Sequence, residues 1–287
     1  MSTRLEALRD KTLEIARNRV VPAPLLTEGA AYRLGTGGQF DNFFLWDTAF
    51  TVIWARYLTG ELPVASSLDN LYRVRAEDGF ISREYSPAGE PIWDSRHPIA
   101  FAPPLLTWAE LSLFEITGDR DRLATVYPIL ERHHRACQQK YQSEDGLYVG
   151  DALGCGMDNL PRCPRGWQID GEGITLEAEY IHESLRPRWS RLAGAPRFQW
   201  NRQGRWIDMS AQMAFDARLL AELAGLLGKD SDAGVFSAEH QRLGELIHER
   251  CWNESAQIYF DLAGAEQIER FHVGAYWTLI AGIVPED

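Results

Sequence analysis

Apolar positions along the chain recur mainly at helical spacing, in segments that alternate with loops rich in Gly, Pro and Asp. Residues 4–19 predict an amphipathic helix with Leu5, Leu8, Leu13 and Ile15 near one face, closed by the VPAP run at 21–24. After the glycine-rich turn at 35–38, the stretch QFDNFFLWDTAFTVIWARYLTG puts apolar residues on nearly every face, which predicts a helix buried all round. Residues 103–117 behave the same way: two prolines suit the first turn, and Gly118 ends it. A more polar helix at 65–75 and a loop at 78–98 lie between them.

Residues 121–141 predict an outer, amphipathic helix with Leu130, His134, Cys137 and Tyr141 on one side. A further helix from 208 to 228 carries Met209, Met213, Leu220, Leu223 and Leu227 on one side, and another at 239–250 offers Leu243 and Ile247. WNESAQIYFDLAG has a strand-like middle between turn residues, so a small hairpin is expected there. Residues 166–206 break the rhythm, with acids first (Asp170 to Glu183) and then bases (Arg186 to Arg205), and predict a surface helix and loop. Helices apolar all round, interleaved with helices apolar on one side, predict two concentric layers, as in an α/α barrel or toroid. An irregular helical bundle satisfies the same periodicity, and no repeat is strict enough for a solenoid.

Composition narrows the partners. At roughly 150 residues per domain a chain of this length suggests about two domains, yet single closed barrels exceed that size, and one domain over residues 1–287 is the expectation. The net charge of −12 without a basic run argues against nucleic acid or an anionic membrane surface. No stretch reaches the roughly 18 apolar residues of a spanning helix, and the N-terminus alternates charged with apolar residues, so a cytoplasmic chain is expected. Cys137, Cys155, Cys163 and Cys251 form no CxxC pair and read as packing thiols.

Four clusters pair an aromatic or a glycine turn with polar groups. Asp47 follows Trp46 inside an apolar run; either it caps a helix or forms a structural ion pair, or it grips hydroxyls beside an aromatic platform. GCGMDNLPR at 154–162 sets glycines before Asp158 and Asn159, allowing close approach of backbone to a ligand, although such a loop can equally be a plain turn. WDSRHP at 93–98 and WIDMSAQ at 206–212 are the others, with Asp208 expected to be an N-cap. Aromatic faces beside short polar side chains are the chemistry of carbohydrate recognition. No Walker, Rossmann, GxSxG or HExxH pattern competes.

Taken together, GGQFDNFFLWDTAF, the Pro-Pro helix, GMDNLPR and DMSAQMAFDARLLAELAGLLG resemble the α/α-barrel glycosidases. The resemblance covers about residues 30–287 and is strongest to glycoside hydrolase family 63 and its mannosylglycerate and glucosylglycerate hydrolase branch, with trehalases more distant. It implies an all-α fold, an (α/α)6 barrel with short loops and a small hairpin, and inverting hydrolysis of small α-glycosides or oligosaccharides; acid/base hydrolysis needs no cofactor, and no metal site can be assembled from the sequence. By the same resemblance Asp158 is the general acid, Phe40, Trp46, Asp47, Asn159, Arg162 and Gln212 surround the sugar, and the base is a Glu on a later helix-loop unit. An incomplete barrel of about four hairpins is therefore expected, with Glu172, Glu177 and Glu269 the acids to test in the base's place and homo-oligomers a consequence of exposed inner flanks. The chain departs from the pattern at Leu160, where the family commonly has Ser, and at Ala102, where the branch often has Gln.

Overall fold

The computed structural model describes residues 2–22, 32–37, 40–150, 155–157, 173–174, 200–201 and 204–285. The elements run α1 (Ser2–Arg17), β1 (Val20–Pro22), β2 (Tyr32–Leu34), β3 (Phe43–Phe44), α2 (Leu45–Ala55), α3 (Val64–Arg73), β4 (Glu84–Tyr85), α4 (Leu106–Thr117) and α5 (Arg120–Tyr141). They continue with β5 (Gly173–Ile174), β6 (Trp200–Asn201), β7 (Gly204–Arg205), α6 (Ile207–Leu226), α7 (Asp230–Cys251), β8 (Trp252–Asn253), β9 (Ile258–Tyr259), β10 (Asp261–Ala263), β11 (Glu266–Ile268) and α8 (Trp277–Ala281). The protein is mostly helical, and its strands are short, antiparallel pieces between helices.

Two layers form because alternate helices carry different amounts of apolar surface. Helices α2, α4, α6 and α8 pack on one another in that order, while α3, α5 and α7 each back onto the helix before them. Helix α6 is the most enclosed: every side chain from Ile207 to Ala217 is buried, including Asp208, Ser210, Gln212 and Asp216. Its sequence pattern suggests one apolar side, but packing against α4, α5, α7 and α8 covers the polar side as well. Helix α5 is amphipathic as its spacing predicts, with Leu130, His134, Cys137 and Tyr141 all buried. Each fully buried Leu, Val or Phe contributes roughly 1.5–3 kcal/mol relative to exposure, so these interlocking faces are the main stabilising term.

Three polar links tie the layers. Glu110 on α4 lies completely buried and accepts from Tyr72 Oη at 2.8 Å and from Arg122 Nε and Nη2 at 2.8 and 2.7 Å, while Arg122 Nη1 donates to Asp69 at 3.0 Å. Burial raises the Glu110 pKa above its ordinary value despite the opposing pull of Arg122. On α5, His134 bridges Asp216 of α6 (Nδ1 to Oδ2, 2.7 Å) and Glu239 of α7 (Nε2 to Oε1, 2.9 Å). In the third link Asp261 of β10 accepts from Ile207 N at 2.8 Å, fixing the start of α6.

Several expectations are corrected. On α1 the buried residues are Leu13 and Ala16, whereas Leu5, Leu8 and Ile15 are exposed; Arg9 and Arg17, one turn to either side of Leu13, pair with Glu61. Asp208 is not an N-cap: Trp206 holds that place, and Asp208 follows one residue inside, accepting from Met209 N at 2.8 Å. Helix α7 begins at Asp230, well before residue 239, with Asp230 and Asp232 in its first turn where the helix dipole favours acids. The expected hairpin at 252–264 is present as β8–β9 and extends into a three-stranded β11–β10–β7 sheet. Cys137, Cys155 and Cys251 are buried free thiols, in keeping with packing roles. Cys163 and most of the 166–206 segment lie outside the described residues.

Candidate active site

The N-terminal turn of α2 is set by the strand pair before it. Phe43 pairs with Tyr85 and Phe44 with Glu84, and Leu45 N donates to Arg83 O at 2.9 Å. Glu84, buried at the same place, accepts from Asn42 Nδ2 and from Trp93 Nε1, each at 2.7 Å, and the Arg83 guanidinium lies over the Trp93 ring. Trp93 thus serves the scaffold, and the remainder of its cluster bonds locally, Asp94 to Arg96 and His97 to Ile99 N. Burial drops the His97 pKa to about 4, which leaves it neutral near pH 7.

This frame presents Trp46 and Asp47 in the first turn of α2, both half-buried. Trp46 belongs to a closed circuit of five aromatic rings drawn from all four inner helices. Ring centroids lie 4.9 Å apart for Trp46–Phe50, 6.1 Å for Phe50–Trp108, 5.3 Å for Trp108–Phe215, 6.4 Å for Phe215–Trp277 and 6.3 Å for Trp277–Trp46. Three are edge-to-face and two tilted, arrangements the ring quadrupole favours over a face-to-face sandwich. Trp46, Phe50 and Trp108 keep part of their faces open, while Phe215 and Trp277 are nearly buried.

Gln212 lies one turn before Phe215 on α6, and Asp208 four residues before Gln212, so all three share a helix face. Gln212 is completely buried, and neither its Oε1 nor its Nε2 has a hydrogen-bond partner among the described residues. An orphaned buried amide costs roughly 1–3 kcal/mol, a cost that a ligand's hydroxyl groups would relieve.

The glycine-rich loop reaches the same place. Gly156 has φ +76°, and a Cβ there would stand 2.9 Å from the Trp46 ring, so only glycine lets the loop rest on that tryptophan. The two strongest sequence motifs, the WD pair and the GCGMDN loop, therefore meet at Gly156 and Trp46. Asp158, Asn159 and Arg162 themselves lie outside the described residues. Phe40 stands apart from the circuit: it is 52% exposed and meets Phe44 edge-on at 6.1 Å.

Of the residues expected at the site, Trp46, Asp47 and Gln212 occupy the N-terminal ends of inner helices. Phe50, Trp108, Phe215 and Trp277 were missed, since in sequence each reads as one more core aromatic. The His272–Asp261 pair (Nε2 to Oδ2, 3.0 Å), buried beside Asp208 at the approach to α8, was missed as well. Among the described residues no three His, Cys, Asp or Glu side chains converge as a metal site would need.

A two-layered helical arrangement whose inner helices direct aromatic faces and amide or carboxylate groups to one end is the build of the α/α-barrel glycosidases. The chain belongs to the mannosylglycerate hydrolase MGH1-like glycoside hydrolase domain family, which matches residues 41–287. The fold is like that of the GH63 mannosylglycerate hydrolase of Thermus thermophilus in complex with glucose, at TM-score 0.69 and 20% identity over 97% of this chain and 72% of that one. The same enzyme in complex with Tris and D-glycerate gives TM-score 0.68 and 21% identity, over 97% and 74% of the two chains. Neutral trehalase Nth1 of Saccharomyces cerevisiae is similar at TM-score 0.54 and 14% identity, over 88% of this chain and 52% of that one. An uncharacterized protein of Borreliella burgdorferi is 28% identical over 129 residues, which are 45% of this chain and 27% of that protein. The chain thus spans about a quarter of the length of that relative.

Proposed function

We propose that this single domain is an inverting hydrolase of small α-glycosides, with Asp158 as the general acid. The observation that carries the reading is the meeting of Gly156 with Trp46, which joins the motif bearing the acid to an aromatic circuit whose Phe215 shares a helix face with the unpartnered amide of Gln212. The apolar face of a sugar lies on Trp46, and its hydroxyls donate to Asp47 and satisfy Gln212; Asn159 and Arg162 are assigned to the same substrate by the family resemblance alone. A general acid needs a raised pKa, which a partly dry site supplies. Inversion further needs a second carboxylate roughly 6.5–9.5 Å from the first, to activate water on the opposite face. The mannosylglycerate hydrolase match favours a sugar-glycerate substrate, and no cofactor enters the reaction.

Reducing-sugar release from mannosylglycerate, glucosylglycerate, trehalose and short α-glucosides tests the reading, with the anomer of the first product followed by NMR. Release of the β-anomer from an α-glycoside is the expected result; retention of the α-anomer would overturn inversion. Sugar binding without any turnover would favour the second reading, a pocket that lacks its base.

Gln212→Leu separates binding from folding. Removing an unsatisfied buried amide is expected to leave stability unchanged or raise it by about 1 kcal/mol, while sugar affinity falls about tenfold or more. Calorimetry of sugar binding beside urea unfolding checks both; lost stability with intact affinity would make Gln212 a packing residue only.

Phe271, Val273, Tyr276, Leu279 and Ile280 are all exposed around α8, while Ala275, Trp277, Thr278 and Ala281 between them are buried. This reading includes self-association through that face, and light scattering of the purified protein is expected to give a mass above one chain; a clean monomer would contradict it.

A further inference from the structure

A cavity of about 370 Å³ opens between α1 and the β1–β2 strand pair, and none of the five rings of the aromatic circuit lines it. Two arginines, Arg19 and Arg33, are among its lining residues, together with Asn18, Phe40 and Asp41. Arg33 is only 6% exposed, yet its sole hydrogen bond among the described residues runs from Nη2 to the Asp41 carbonyl at 3.1 Å. Its guanidinium also sits 4.7 Å above the Phe43 ring. Neither arginine has a carboxylate within 4.0 Å among the described residues, although acids outnumber bases 41 to 29 in this chain. Burying a cation without a counter-ion is costly unless something else supplies the negative charge. The backbone makes room for the second guanidinium: Gly37 has φ +86°, and a Cβ there would fall 1.9 Å from Arg19 Nη1, so the glycine lets that group lie flat on the chain.

We propose that this cavity is an anion subsite that takes the acid group of a negatively charged sugar. Arg19 and Arg33 carry planar guanidinium groups, only one N–H of Arg33 being used within the described residues, and such groups suit carboxylate, sulfate or phosphate. Phe40, half-exposed at the rim, supplies an aromatic face for the ring that carries the acid. The Asp41 carboxylate is exposed at the same rim and disfavours a second negative charge, which limits the site to ligands with one acid group. That the anion is carried on a sugar rests on the glycosidase reading; the oxyanion itself does not.

Isothermal titration of the whole protein with D-glucuronate, glucose 6-sulfate, glucose and sodium sulfate tests the site, repeated with Arg19→Gln and with Gly37→Ala, whose side chain displaces Arg19. Circular dichroism establishes that each variant is folded. The acid sugars are expected to bind about tenfold tighter than glucose and tighter than sulfate alone, and each variant to lose about tenfold for the acid sugars with glucose unaffected. Equal affinities in wild type and both folded variants would overturn the proposal. Sulfate binding as tightly as glucose 6-sulfate would overturn its saccharide part. Neutral-glycoside hydrolysis is read separately, and its absence beside Arg19-dependent anion binding would strike the glycosidase reading alone.

Discussion

Asp158→Asn is expected to lower glycoside hydrolysis roughly 10²–10⁴-fold, the contribution of a positioned general acid, with substrate affinity kept within a few-fold. The amide has nearly the shape of the carboxylic acid and still hydrogen-bonds the glycosidic oxygen, but it has no proton to give the leaving group. The defect should therefore shrink for substrates whose leaving group needs no protonation, such as nitrophenyl or fluoride glycosides. Turnover of natural glycosides and of glycosyl fluorides, measured on the same variant, checks both parts. Full activity toward natural glycosides would remove Asp158 from the mechanism, and an equal loss on both substrate types would assign it to binding.

His134 is expected to make stability fall as pH rises from about 6.5 to 9. Burial alone would lower its pKa, but hydrogen bonds and charge from Asp216 and Glu239 prevail and raise it to about 9. For Glu239 burial likewise opposes ionisation, and the bonds from His134 and Arg135 prevail and lower its pKa. A histidine with a raised folded pKa contributes its full stabilisation below the unfolded value and loses it as pH climbs through the folded one. A shift from 6.5 to about 9 corresponds to about 3 kcal/mol. His134→Ala leaves two buried carboxylates without their shared cation, at a cost of about 3–5 kcal/mol near neutral pH. Urea unfolding at pH 6, 7.5 and 9 should show a declining midpoint in the wild type and little decline in the variant. A wild-type midpoint that is flat over this range would mean that His134 is neutral in the folded protein.

Local chemistry singled out the two motifs that meet at the candidate site, an acid after tryptophan in an apolar run and glycines ahead of Asp-Asn, but left a plain cap or turn open for each, and only the family resemblance gave them roles. Their meeting was not legible, since nothing in the sequence places Gly156 on the ring of Trp46. The polar network of His134 was hidden for a related reason. In sequence it occupies a core position of an amphipathic helix, and its partners lie 82 and 105 residues further on. Gln212 could be named beforehand, but its isolation became visible only once α4, α5, α7 and α8 had enclosed α6.

The sequence by itself determined the order of α1 to α7 and the approximate limits of most of them, though not the start of α7 nor the short α8, because helical periodicity and stop signals act within a few turns of chain. It also determined which helix is outer where the apolar stripe is narrow, as in α5. Only the tertiary structure decided which side of α1 is covered, that α6 is enclosed all round, and that Trp46 and Trp277 close one aromatic circuit. Those outcomes depend on contacts between residues up to 231 positions apart (277 − 46), and a hydrophobic pattern records that a side chain is apolar without recording which neighbour will cover it.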